Sequence, residues 1–143
     1  AARKFGADVT ISARDDVPAR LRDVNDGRLA DLVIVCTGAP TALNQALQSV
    51  ERGGTVLFFA PTEPGVTLSV SVNDIFFTND ATLTTTYAAS PANLAAALEL
   101  IGAGSVRVGE MITHRLGLAE TGLGFKLTVD AQSSLKVIVD PQQ

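Results

Sequence analysis

An α/β fold, a parallel sheet covered by helices, is predicted by three features of the sequence. Short apolar runs alternate with amphipathic stretches at a spacing that suits strand-helix units better than hairpins. Two of those runs, 32–35 (Leu32, Val33, Ile34, Val35) and "TVLFFA" at 55–60, are continuously apolar, as strands covered on both faces are. Between them Pro40 opens a stretch in which Leu43, Ala46, Leu47 and Val50 fall at i, i+3, i+4 and i+7, one stripe facing a sheet. Strand, helix and strand then make one crossover of the expected length.

The elements follow in order. Residues 1–5 end a helix, because Gly6 can adopt the left-handed cap conformation and "VTIS" at 9–12 follows as a strand. Asp15 or Asp16 caps a helix running to about Val24, with Pro18 tolerated in its first turn. "NDGR" at 25–28 breaks that helix, and the strand 31–37 leads through "GAP" into the helix of Pro40. "RGG" at 52–54 ends it before the strand 55–60. Beyond, "VTLSVSV" at 66–72 alternates like a half-exposed strand, "NDIFFTN" forms a short apolar turn or helix, and "ATLTTTY" is rich in β-branched threonine. Ser90, Pro91 and the stripe Leu94, Leu98 and Ile101 define a helix closed by Gly102 or Gly104. A short strand "MITHR", a glycine-containing helix near 118–130 and a strand "LKVIVD" at 135–140 complete the chain.

Composition limits what such a chain can do. With 143 residues, 46% of them apolar, it is long enough for one domain burying about 70% of its unfolded surface. Eleven Lys and Arg against fifteen Asp and Glu, a formal net charge of −4, leave no electrostatic footprint for nucleic acid or an anionic membrane. No apolar run reaches the roughly 18–20 residues that span a bilayer, and the start lacks the charged-then-apolar order of a signal peptide. A single cysteine, Cys36, forms no internal disulfide and no zinc cluster, which fits a reducing, cytoplasmic compartment.

Most of the reactive side chains have an ordinary structural reading. His114 is the only histidine, so it cannot build a multi-histidine metal site, and a hydrogen-bonding role is expected. Cys36 ends an apolar strand and is expected to pack in the core. Asp15 and Asp16 sit where a helix macrodipole favours negative charge, so capping outranks acid-base work. Arg3 and Lys4 read as a solvated face. Position is more informative: in an open α/β sheet the ligand lies outside the carboxyl ends of the strands, which are here "CTGAP" and "FFAPTE". Small residues there allow close backbone approach, although glycine is common at strand-helix turns for steric reasons alone.

In order, "FGAD", "DLVIVCTGAPTALNQAL", "RGGTVLFFAP", "SPANLAAALELIGAG", "MITHRLGLAETGLGF" and "SLKVIVDP" resemble the C-terminal part of the zinc-dependent medium-chain dehydrogenases, near the sorbitol and threonine dehydrogenase branch. The resemblance covers essentially the whole chain. It implies a single truncated nucleotide-binding domain over 1–143, a partial Rossmann-like parallel sheet lacking its first two strands, with 110–143 packing toward an N-terminal catalytic domain. The G-x-G-x-x-G turn, the ribose-binding acidic residue and the zinc ligands would lie upstream.

What the resemblance assigns to this chain is the far half of a crevice for NAD or NADP. Thr37 and Gly38 match the turn beside the adenosine ribose. Phe58, Phe59 and Ala60 match the strand end facing the nicotinamide, and Thr86, Tyr87 and Ala88 the segment that meets its carboxamide through the backbone. Thr85 stands where glycine is often found. Lys136 matches a basic residue that reaches the pyrophosphate. No catalytic residue or metal ligand falls within the chain. The implied activity is hydride transfer between an alcohol or polyol and the nicotinamide, by a homo-oligomer whose dimer edge resembles 66–72, and the isolated chain is expected to be inactive. A non-enzymatic α/β module, for dimerisation or small-nucleotide binding, is the alternative. Strand order also predicts that 31–37, deprived of its neighbours, pairs in parallel with 9–12 or with a partner chain, in preference to the third outcome, that the chain is one piece of a larger molecule.

Overall fold

The computed structural model describes residues 1–142, which divide into two compact units, Ala1–Ala88 and a second beginning at Ala89. The first unit holds a 3-10 turn at Ala2–Phe5, helix α1 (Val17–Val24), strand β1 (Ala30–Val35), helix α2 (Pro40–Ser49), strand β2 (Val50–Phe58), a π-type turn at Asn73–Thr78 and strand β3 (Thr82–Thr85). The strands form one parallel sheet in the order β1-β2-β3, with Val33 opposite Val56 and Val56 opposite Leu83.

Local chemistry sets the helix starts. Of the two candidate aspartates Asp16 is the cap of α1, its carboxylate accepting from the backbone N–H of Ala19 at 3.1 Å. Pro40 occupies the first turn of α2, where a missing N–H costs nothing. Helix α2 buries Leu43, Ala46 and Ser49, and these two apolar side chains join Val35, Val50, Val56 and Ala81 in the core. Val50 and Val56 are essentially fully buried, each worth about 1.5–3 kcal/mol of transfer free energy.

Strand β2 departs from expectation. It begins at Val50, not at residue 55, and β1 and β2 slip past one another early: Ala30 faces Val50, whereas Leu32 faces Thr55. The extra β2 residues form a bulge in which Gly53 has φ of 74°. Gly54 is buried there, and a Cβ on it would lie 2.8 Å from the Glu51 carbonyl oxygen and 3.0 Å from that of Asp31, so only glycine fits. Glu51 turns this bulge into a clamp. Its carboxylate accepts the backbone N–H of Leu29 at 2.7 Å and that of Arg52 at 3.1 Å, and these bonds hold its pKa below the ordinary 4.5.

Three further expectations are corrected. Residues 9–12 form no strand and do not pair with β1, which is an edge strand of the sheet with Leu32 and Ile34 about half exposed. The stretch that follows them is held elsewhere, because Gln45 of α2 donates to the Ala13 carbonyl at 3.1 Å. Residues 66–72 contain no assigned strand either. Their alternation is nevertheless real, since Val66, Leu68 and Val70 turn inward while their neighbours are exposed. Val66 and Leu68 pack on the core without a ladder partner. Cys36 lies just beyond the end of β1 and is exposed, not buried, because the strand has no neighbour on that side to cover it.

The second unit contains helix α3 (Pro91–Gly102), strand β4 (Ile112–Gly117), helix α4 (Thr121–Asp130) and strand β5 (Lys136–Asp140). Ser90 and Asn93 form a reciprocal capping box at the start of α3. The stripe Leu94, Leu98 and Ile101 is exposed. Strands β4 and β5 pair in parallel with α4 packed on them, and Leu116 is their buried residue. Thr113 ties the pair at one end, its hydroxyl donating to the Lys136 carbonyl and accepting from the Leu135 N–H.

Candidate functional site

Parallel pairing brings the carboxyl ends of β1, β2 and β3 together, and a small set of hydrogen bonds stitches them in a row. The Val35 carbonyl at the end of β1 accepts two N–H groups, those of Phe59 and Ala60, both at 3.1 Å. The chain leaving β2 is thereby folded back across the end of β1. Phe58 and Thr85, the last residues of β2 and β3, face one another in register, and the Thr85 hydroxyl donates to the Phe58 carbonyl at 3.0 Å.

The turn after β1 fits beneath this segment because residue 38 is glycine. A Cβ there would stand 2.4 Å from the Pro61 carbonyl oxygen and 3.2 Å from the Thr62 Cα, both backbone atoms. The neighbouring Thr37 is exposed, and its hydroxyl accepts from the Ala39 N–H at 3.3 Å, leaving its own proton available to an incoming oxygen.

Eight of the nine expected cofactor residues therefore lie on one edge of one sheet. Thr37 and Gly38 follow β1, Phe58, Phe59 and Ala60 end and follow β2, and Thr86, Tyr87 and Ala88 follow β3. Phe59 is 59% exposed and Tyr87 98%, so two aromatic side chains are largely open to solvent at this edge. Ala88 adopts a left-handed φ of 60°, a conformation that costs a non-glycine residue about 1 kcal/mol or more. Sequence reading did not single out Pro61, whose carbonyl sets the size of residue 38. A proline after an apolar run is a turn signal, but no sequence signal reveals which residue it touches.

Lys136, the ninth, belongs to the second unit. It is exposed at the start of β5 and borders an apolar cleft of about 320 Å³ with Val108, Met111, Ile112, Leu135 and Ile138. His114 has the structural role expected of it, with Nδ1 3.0 Å from the Thr113 hydroxyl. Among the described residues no three His, Cys, Asp or Glu side chains converge into a group that could hold a metal ion. No helix among the described residues is long and apolar enough to cross a membrane.

Comparison with known proteins bears on the family and the fold. Residues 1–103 match the family model described as zinc-binding dehydrogenase. The chain is 32% identical, over 96% of its length, to a zinc-type alcohol dehydrogenase-like protein of Escherichia coli K12, and covers 38% of that protein. It is 30% identical, over 98% of its length, to the erythritol/L-threitol dehydrogenase of Mycolicibacterium smegmatis, again covering 38%. Among solved structures, the alcohol dehydrogenase of Thermus sp. ATN1 superposes with a TM-score of 0.82 at 26% identity, with 95% of this chain matched to 39% of that one. A putative zinc-binding dehydrogenase of Clostridium scindens reaches 0.87 at 19% identity, over 99% of this chain and 39% of that one, which speaks for the fold alone. The chain spans about two-fifths of the length of these proteins. On the family match and the shared fold, the chain belongs to the zinc-binding dehydrogenase family.

Proposed function

We propose that the carboxyl edge of β1-β2-β3 is the far half of a nicotinamide-dinucleotide crevice in a zinc-dependent, NAD- or NADP-linked dehydrogenase of an alcohol or polyol. The observation that carries the reading is the gathering of Thr37, Gly38, Phe58, Phe59, Ala60, Thr86, Tyr87 and Ala88 at one sheet edge in a member of this family. In this reading Thr37 and Gly38 receive the adenosine ribose, the first by its hydroxyl and the second by close backbone approach. Phe58, Phe59 and Ala60 wall the nicotinamide, and the backbone of Thr86, Tyr87 and Ala88 meets its carboxamide. Lys136 supplies a charge-assisted contact to the pyrophosphate.

The dinucleotide carries the hydride, and zinc held by other residues of a longer protein polarises the alcohol. Residues 110–143 pack toward the domain that holds the zinc, the enzyme works in the cytoplasm as a homo-oligomer, and 66–72 forms its dimer edge. The 143 residues alone are inactive.

A chimera tests the reading. In the erythritol/L-threitol dehydrogenase of M. smegmatis, the matching segment is replaced by this chain. The expected result is a folded protein that binds NADH or NADPH and oxidises a polyol. A chimera that folds and retains zinc yet binds neither dinucleotide overturns the proposal.

A further inference from the structure

The row of hydrogen bonds along the carboxyl edge is uneven. Where β1 meets β2, two backbone N–H groups, those of Phe59 and Ala60, converge on the Val35 carbonyl. At the last β2-β3 pair a side chain joins the ladder, with the Thr85 hydroxyl 3.0 Å from the Phe58 carbonyl. Thr85 is the last residue of β3, and the exposed segment Thr86, Tyr87 and Ala88 hangs from it directly. That segment ends in the left-handed Ala88, a conformation that persists only if its surroundings hold it. Strand β3 is only four residues long, so one additional cross-strand bond is a sizeable part of what fixes its end.

We infer that Thr85 is a positioning residue: its hydroxyl, bonded to the Phe58 carbonyl, fixes the backbone of 86–88 relative to Phe58 and Phe59, so that the two walls of the crevice keep one spacing. The inference rests on the cofactor reading above and adds to it a residue that touches no ligand. A valine at 85 keeps the β-branched shape and removes the donor, whereas a serine keeps the donor. A neutral hydrogen bond of this kind corresponds to about a five-fold change in a local opening equilibrium.

The test is native-state amide hydrogen exchange on the isotopically labelled 143-residue chain, as wild type, Thr85→Val and Thr85→Ser. NADH affinity is then measured on the chimeric dehydrogenase carrying the same three residues at position 85. For Thr85→Val, exchange at the ladder amides at the end of β3, Thr84 and Thr85, is expected to rise about five-fold while the core amide of Val56 is unchanged, with a matching loss of the chimera's NADH affinity. Thr85→Ser is expected to restore both. A general weakening of the fold would raise exchange at Val56 as well and would not be rescued by serine; that pattern overturns the inference. So does a Thr85→Val chain whose exchange and affinity equal those of the wild type. Absence of NADH binding by the folded wild-type chimera overturns the cofactor reading itself, a result distinct from either of these.

Discussion

Replacing Gly38 by alanine adds one methyl group at the most crowded backbone approach of the candidate crevice. The added Cβ would stand 2.4 Å from the Pro61 carbonyl oxygen and 3.2 Å from the Thr62 Cα. Neither is the far end of a flexible side chain, so relief requires the 61–62 backbone to move by about 1 Å to reach ordinary contact. That segment follows Phe59 and Ala60, whose N–H groups share the Val35 carbonyl, so the strain reaches the bonds joining β1 to β2. Overpacking of this kind costs about 1–3 kcal/mol. In a unit of this size each kcal/mol shifts the melting temperature by about 4–8 °C. The assay is thermal and urea unfolding of Gly38→Ala beside Gly122→Ala, the same chemical change in helix α4 where nothing lies within 4 Å. Gly122→Ala should stabilise its own unit by up to about 1 kcal/mol. Equal midpoints for Gly38→Ala and the wild type would refute the close approach on which the crevice geometry depends.

Asp16→Ala removes the side-chain cap of α1 and should cost about 1 kcal/mol in urea unfolding, with Asp16→Asn recovering most of it. Because two backbone N–H groups depress the Glu51 pKa below 4.5, its carboxylate stabilises the fold fully above the unfolded value, and that contribution fades as pH falls through the lower folded value. Glu51→Gln should therefore be less stable than wild type at neutral pH, with the gap closing in acid; a gap constant with pH would contradict the clamp. In the chimeric dehydrogenase, Lys136→Ala should weaken dinucleotide binding more than it changes the polyol KM, and an unchanged cofactor affinity would remove Lys136 from the site.

The legible parts of this chain were those in which local chemistry decides structure. Asp16 and Ser90 mark helix starts by bonds within one turn and Pro40 by its fixed φ and missing N–H, and the continuous row at 32–35 marks a parallel strand because such strands are covered on both faces. What failed depended on neighbours. Residues 9–12 and 66–72 carry strand-like patterns, but a ladder needs a partner, and the second stretch shows that alternation can record packing on a core alone. Cys36 follows a buried-looking run, yet β1 is an edge, so the apolar row overstated its cover. The early start of β2 was hidden by "RGG", which reads as a helix stop and is a bulge inside the strand. The candidate site was legible in position, as the carboxyl ends of parallel strands. The contacts of Gly38 with Pro61 and of Thr85 with Phe58 were not, because each joins residues more than twenty apart in sequence.

The central claim is that the carboxyl edge of β1-β2-β3 receives a nicotinamide dinucleotide, and titration of the chimeric dehydrogenase, isotopically labelled in this segment, with NADH and NADPH, followed amide by amide, tests it most directly. The account predicts saturable shifts at Thr37, Gly38, Phe58, Phe59, Ala60, Thr86, Tyr87 and Ala88, with those of the opposite end of the sheet, such as Glu51 and Thr82, left in place. Shifts confined to that opposite end, or none with either dinucleotide, would contradict it.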